Sequence, residues 1–169
     1  MEAALRVLNE MVADGVLVRY AIGGAMGALF YVEPVATYDL DVFVELPAEA
    51  SRSLAPLERV YAWLRSRSYA IDREHVLVEG MAVQILPAFN GLVEEAVREA
   101  TSRMVGGVES RVCTAEHLVA ILVQTGRPKD RARLALFLEE AVLDPVGLRE
   151  ILARHGLVDR WDHLRKQIG

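Results

Sequence analysis

The chain has 169 residues, 53% of them hydrophobic, which is long enough to bury a core and too apolar for a disordered segment. Lys plus Arg number 19 against 24 Asp plus Glu, so the net charge of −5 argues against a general nucleic-acid coat while leaving room for a local basic face. One cysteine, Cys113, permits no internal disulfide, and with four scattered histidines it shows no zinc-ligand spacing.

The first segment carries Leu5, Leu8, Met11 and Val12 at helical spacing and stops at Gly15, which predicts an amphipathic helix. Glu2, Arg6, Glu10 and Asp14 interrupt it, so it does not read as a secretory leader. No apolar run reaches transmembrane length. A cytoplasmic protein with no membrane association is the expectation. "VLVRYAIG" (16–23) reads as the first strand, and the Gly23-Gly24 turn leads into "AMGALFYV" (25–32), expected to be helical as far as the break at Pro34. "LDVFVEL" (40–46) is a second strand closed by Pro47, and a helix is expected over 56–66. "HVLVEGMAVQIL" (75–86) reads as a hairpin turning at Glu79-Gly80. Beyond Asn90, helices are expected over 92–102 and over 115–124 with Thr114 as N-cap, and "MVGGVESRV" (104–112) supplies a last edge strand between them. A further helix opens at Pro128, and Asp144-Pro145 begins another that Gly156 ends. The expected fold is α/β (α+β): a small mixed β-sheet with flanking helices and a C-terminal helical bundle. Its expected division is a core over 1–112 and a helical subdomain over 113–169 packed on that core.

Two features carry chemistry. Gly23-Gly24 at a strand-to-helix junction lets the backbone approach a ligand closely and aims helix N–H groups at an anion. Asp39 and Asp41, one residue apart at a strand entrance, project from the same face because strand side chains alternate. Paired carboxylates suit Mg²⁺ or Mn²⁺, whose shell is completed by water and phosphate oxygens. Each feature alone reads more readily as a plain turn or as a strand with an acidic start; their order and shared context favour an anion at the glycines and a cation at the aspartates.

Gly23, Gly24, Asp39 and Asp41 resemble the signature of the nucleotidyltransferase superfamily of the polymerase-beta type. More narrowly, Thr37 two residues before the first aspartate, and Lys129-Asp130 at the opening of a downstream helix, resemble minimal bacterial nucleotidyltransferases related to the AbiEii toxins. The resemblance implies nucleotidyl transfer from an NTP to a hydroxyl or amino acceptor: an RNA end such as tRNA, a protein or a small molecule. It implies Asp39, Asp41 and Lys129 as catalytic residues, the two aspartates as metal ligands, Gly23, Gly24, Thr37 and Lys129 as nucleotide-binding residues, and an antitoxin or a second copy of the chain as partner. Two positions depart from the pattern. Gln84 stands where a third carboxylate is expected and cannot serve as a base, and Val35 stands where relatives carry Arg. Gln84 keeps open an alternative, a catalytically impaired nucleotide-binding or toxin–antitoxin interaction module.

Lys129 is read either as a point charge on the triphosphate or as a solvated surface residue, and Arg127, Arg131 and Arg133 add positive charge without assuring a common face. Tyr38 is expected to pack on its own loop, His75, His117, Trp63, Trp161 and Cys113 to be structural, and Glu45 and Glu79 to be spare carboxylates near strand ends. A haloacid-dehalogenase phosphotransferase also uses Asp-x-Asp, but there the apolar strand precedes the aspartates, whereas here "VFV" follows them. A Rossmann site fails because Ile22 occupies the first position of Gly-x-Gly-x-x-Gly.

Overall fold

The structure is a computed structural model that describes residues 1–33 and 37–168. In chain order the elements are α1 (Glu2–Ala13), β1 (Arg19–Ile22), α2 (Gly24–Ala28), β2 (Asp39–Glu45), α3 (Ala48–Ser51), α4 (Glu58–Ser66), β3 (Ala70–Asp72), β4 (His75–Val78) and β5 (Met81–Pro87). They continue as α5 (Gly91–Arg98), β6 (Thr101–Val105), β7 (Val108–Val112), α6 (Ala115–Thr125), α7 (Pro128–Glu140), α8 (Pro145–Arg154) and α9 (Val158–Ile168). The strands form one mixed sheet in the order β3-β4-β5-β2-β1-β7-β6. The β2–β5 and β1–β7 pairs are parallel and the others antiparallel.

Strand alternation divides the core between the two faces of this sheet. Ile22, Leu40, Val42, Val44, Val83 and Ile85 pack with α1 and α4 on one side. Ala21 and Phe43, from the intervening positions, pack with α5, α6, α7, α8 and α9 on the other. Each fully buried Leu or Val of β2 contributes about 1.5–3 kcal/mol of apolar burial, which fixes the register of the strand and so the face on which its polar residues emerge. Asp39 and Asp41 share their face with Phe43 and therefore look toward the C-terminal helices.

Local signals set several boundaries as expected. Thr114 accepts a hydrogen bond from the His117 N–H at 3.3 Å, and Asp144 caps α8 through the Val146 N–H at 3.0 Å. Three expectations are corrected. The helix after Gly23-Gly24 is five residues long, not a run to Pro34: Ala28 is followed by turns, and the Tyr31 hydroxyl donates to the Cys113 carbonyl at 2.9 Å. Pro34 itself lies outside the described residues, as does Val35. The helix expected over 92–102 ends at Arg98, because Thr101 and Ser102 pair with Val112 and Arg111. The expected single edge strand is a hairpin, in which β6 forms the edge and β7 is tied to the sheet by the Cys113 N–H to the Ile22 carbonyl at 3.0 Å. No helix among the described residues is long and apolar enough to cross a membrane.

Candidate active site

A cleft of about 800 Å³ opens between the Asp39 face of the sheet and the helices α6 and α7. Its floor is made by Asp39, Asp41 and Phe43 of β2 with Ala82, Gln84 and Leu86 of β5. The parallel register sets these level in pairs, Asp39 with Ala82, Asp41 with Gln84 and Phe43 with Leu86. Gln84 thus stands directly beside Asp41, the position expected for a third acid. Glu45 is paired with Arg19 at 2.8 Å and Glu79 sits in the β4–β5 turn, so neither spare carboxylate replaces it.

The Thr37 hydroxyl donates to Asp39 Oδ1 at 2.9 Å and orients that carboxylate. Gly23 and Gly24 act mainly through what they leave out. The Gly23 N–H donates to the Asp41 carbonyl at 2.9 Å, and a Cβ at 23 would meet the Phe43 ring. Gly24 has φ +57°, and a Cβ there would overlap the Asp41 carboxylate. Gly24 makes room for Asp41 and Gly23 for the Phe43 ring, and with only five helical residues behind them the helix dipole at this site is small.

The helical wall carries positive charge. Arg127, Lys129 and Arg133 line the cleft, whereas Arg131 points to solvent. Lys129, Arg133 and Phe137 follow one another at intervals of four, so one stripe of α7 faces the carboxylates. Burial pushes the Asp41 carboxyl above its usual range, the neighbouring Asp39 charge adds to this, and Arg133, Lys129 and Arg127 pull it back down. Asp130 has the opposite role to its neighbour Lys129. It is fully buried and accepts from Thr125 Oγ1 at 2.7 Å, Arg127 Nε at 2.7 Å and the Arg127 N–H at 3.1 Å. Although burial opposes its charge, these hydrogen bonds hold its carboxyl below the ordinary range. Asp130 therefore anchors the start of α7 and presents Lys129 to the cleft.

Asp39 and Asp41 fit a divalent cation that takes two carboxylates and completes its shell from water and phosphate. Among the described residues no group of three or more His, Cys, Asp or Glu stands together to form a closed cage. His75, Phe89 and Tyr38, from outside the expected site, also reach the cleft. Tyr38 is 90% exposed. The alternation of β4 signalled that His75 and Val76 face opposite sides, but only the register of β4 on β5 puts His75 level with Gln84. His117 lies elsewhere, buried beside Glu95, and burial holds its imidazole below the usual range. Cys113 is buried, which pushes its thiol up to about 12.

Comparison of the sequence with known protein families and with curated proteins finds no match. Solved structures do match. A nucleotidyltransferase-like antigenic protein from Paracoccidioides brasiliensis superposes with a TM-score of 0.59 at 14% identity, over 99% of this chain and 91% of that one. The antibiotic-resistance factor ANT(2'')-Ia superposes with a TM-score of 0.50 at 14% identity, over 99% of this chain and 98% of that one. The chain has the nucleotidyltransferase fold.

Proposed function

We propose that the protein is a divalent-metal-dependent nucleotidyltransferase that moves a nucleotidyl group from an NTP to a hydroxyl or amino acceptor. The observation that carries this reading is that Asp39 and Asp41 face, across one cleft, the Lys129–Arg133 stripe of α7. A triphosphate with its counter-ion carries charges that complement both walls of such a cleft.

Asp39 and Asp41 hold the cation, with Asp39 oriented by Thr37. Mg²⁺ or Mn²⁺ bound there neutralises charge on the phosphate oxygens. Lys129 and Arg133 attract the outer phosphates as cations, and Gly24 lets the chain approach Asp41 without a side chain in the way. The C-terminal helices, read as a subdomain over 113–169 on a core of 1–112, supply the cationic wall. The acceptor is an RNA end such as tRNA, a protein or a small hydroxylated molecule; an antitoxin or a second copy of the chain belongs to the same reading as a partner.

The test is incubation with labelled NTPs, Mg²⁺ and these acceptors. Transfer above the level of an Asp41→Ala variant is expected, and none above it overturns the reading. Gln84 beside Asp41 favours a second reading, a module that binds nucleotide without turnover or serves in a toxin–antitoxin pair. Calorimetry separates the two: saturable NTP–Mg²⁺ binding with no transfer to any acceptor supports the second.

A further inference from the structure

One transverse row of the sheet carries four polar residues. Asp41 is level with Gln84 across β2–β5, Gln84 with His75 across β5–β4, and His75 with Asp72 across β4–β3. Level residues project from the same face, and Asp41, Gln84 and His75 all line the cleft. At a strand spacing of about 4.8 Å, His75 lies roughly 10 Å from Asp41 along the row. That distance is bridged by a phosphate held at the carboxylates together with an oxygen poised to attack it.

The direction of attack is constrained by the charges. In phosphoryl-group chemistry the attacking and leaving oxygens lie roughly in line. The leaving pyrophosphate is drawn to the cations of the helical wall, Arg127, Lys129 and Arg133, so the acceptor approaches from the sheet floor. Gln84 and His75 form that part of the floor, with Phe89, 65% exposed, as an apolar edge beside them. Gln84 can hold a hydroxyl by its amide but has no site for the proton. An imidazole has one.

Resting on the nucleotidyl-transfer reading, we propose that His75 is the general base for a hydroxyl acceptor, standing in for the acid that Gln84 replaces. The acceptor oxygen forms a bond to the α-phosphorus, the bond from that phosphorus to the bridging oxygen breaks, and pyrophosphate departs with the electron pair. The acceptor proton passes to an imidazole nitrogen of His75 and from there to solvent. The charged groups around His75 are Asp72 from β3, Arg73 and Glu74 in the connecting turn, Asp39 and Asp41 on β2, and Arg127, Lys129 and Arg133 across the cleft; β5 presents the neutral Gln84.

Water serves as acceptor in the test, so the natural acceptor need not be known: release of pyrophosphate from NTP is followed against pH for wild type, H75Q, and H75Q/Q84E. H75Q is expected to lower kcat about 10²–10⁴-fold with NTP affinity changed less than threefold, and to lose the acidic limb of the profile. Q84E in the H75Q background is expected to recover at least about tenfold, since it restores a proton acceptor one strand closer to Asp41. Independently of turnover, the His75 imidazole signals in the full chain are expected to shift when Mg²⁺ and the α,β-methylene analogue of the bound NTP are added. An H75Q profile that overlays wild type, or His75 signals unmoved by the analogue, overturns the assignment while leaving nucleotidyl transfer standing. Wild type that binds NTP but releases no pyrophosphate to water or any acceptor overturns the transfer reading, and the base assignment with it.

Discussion

Gly24 and the Asp41 carboxylate occupy adjoining space so closely that a Cβ on residue 24 would overlap Asp41 Oδ2 and stand 2.7 Å from Cγ. The backbone of Gly24 is also left-handed, at φ +57°. Gly24→Ala is therefore expected to displace Asp41 and to cost about 1–2 kcal/mol from backbone strain alone. Calorimetry of NTP–Mg²⁺ should show at least tenfold weaker binding, and thermal unfolding a lower Tm. Unchanged binding would mean that Asp41 does not hold the cation.

Two carboxylates make an incomplete cation site, because Mg²⁺ needs an octahedral shell that Asp39 and Asp41 cannot fill alone. Titration of the protein with Mg²⁺ alone is expected to give weak binding, and the same titration in the presence of a non-hydrolysable NTP to give binding at least tenfold tighter. By reciprocity, chelation of the metal should weaken NTP binding by the same factor. Equal Mg²⁺ affinity with and without nucleotide would contradict a shared shell.

The cations of the helical wall divide by what else they hold. Among the described residues Lys129 and Arg133 make no salt bridge, whereas Arg127 is bound to the buried Asp130 at 2.7 Å. Lys129→Ala and Arg133→Ala are each expected to weaken NTP binding several-fold, with an effect that shrinks in high salt, and to leave Tm nearly unchanged. Arg127→Ala should lower stability by about 1 kcal/mol, because it removes the charge-assisted hydrogen bonds that a half-exposed guanidinium gives Asp130 while the Thr125 and backbone donors remain. Denaturant titration of the three variants beside their NTP affinities separates these roles.

Acid should loosen the packing of α5, α6 and α8. Glu95 is buried between them and accepts from Arg154 Nη2 at 2.6 Å, with His155 Nε2 at 2.7 Å and His117 Nε2 at 3.4 Å. Burial works against its charge, but the bonds from Arg154 and His155 outweigh it and bring the carboxyl from 4.5 down to about 2. Because the folded form holds its proton more weakly than the unfolded chain, the stabilisation is complete above 4.5 and disappears as pH falls toward 2. Glu95→Gln is expected to be less stable than wild type at pH 7 and to converge with it near pH 2; a constant gap across that range would contradict the assignment.

Much of the fold was legible because its signals are local. Thr114 and Asp144 cap helices through their own backbone neighbours, and the Glu79-Gly80 turn sits between two alternating runs, so no distant residue is needed to read them. Thr101 and Ser102 misread as helix because their strand exists only through pairing with β7. The short α2 is likewise a tertiary outcome, with Tyr31 drawn to the Cys113 carbonyl 82 positions away.

The sequence by itself determined that Asp39 and Asp41 share a face, that a glycine turn precedes them, and that Pro128 opens a helix bearing Lys129, since each follows from spacing within one element. Only the tertiary structure decided that this face looks onto α7, that Lys129 and Arg133 turn toward it while Arg131 does not, and that His75 and Gln84 stand level with Asp41. The reason is that strand register and helix docking are fixed by burial of residues far apart in the chain, and a periodicity read along one segment carries no information about which segment lies beside it.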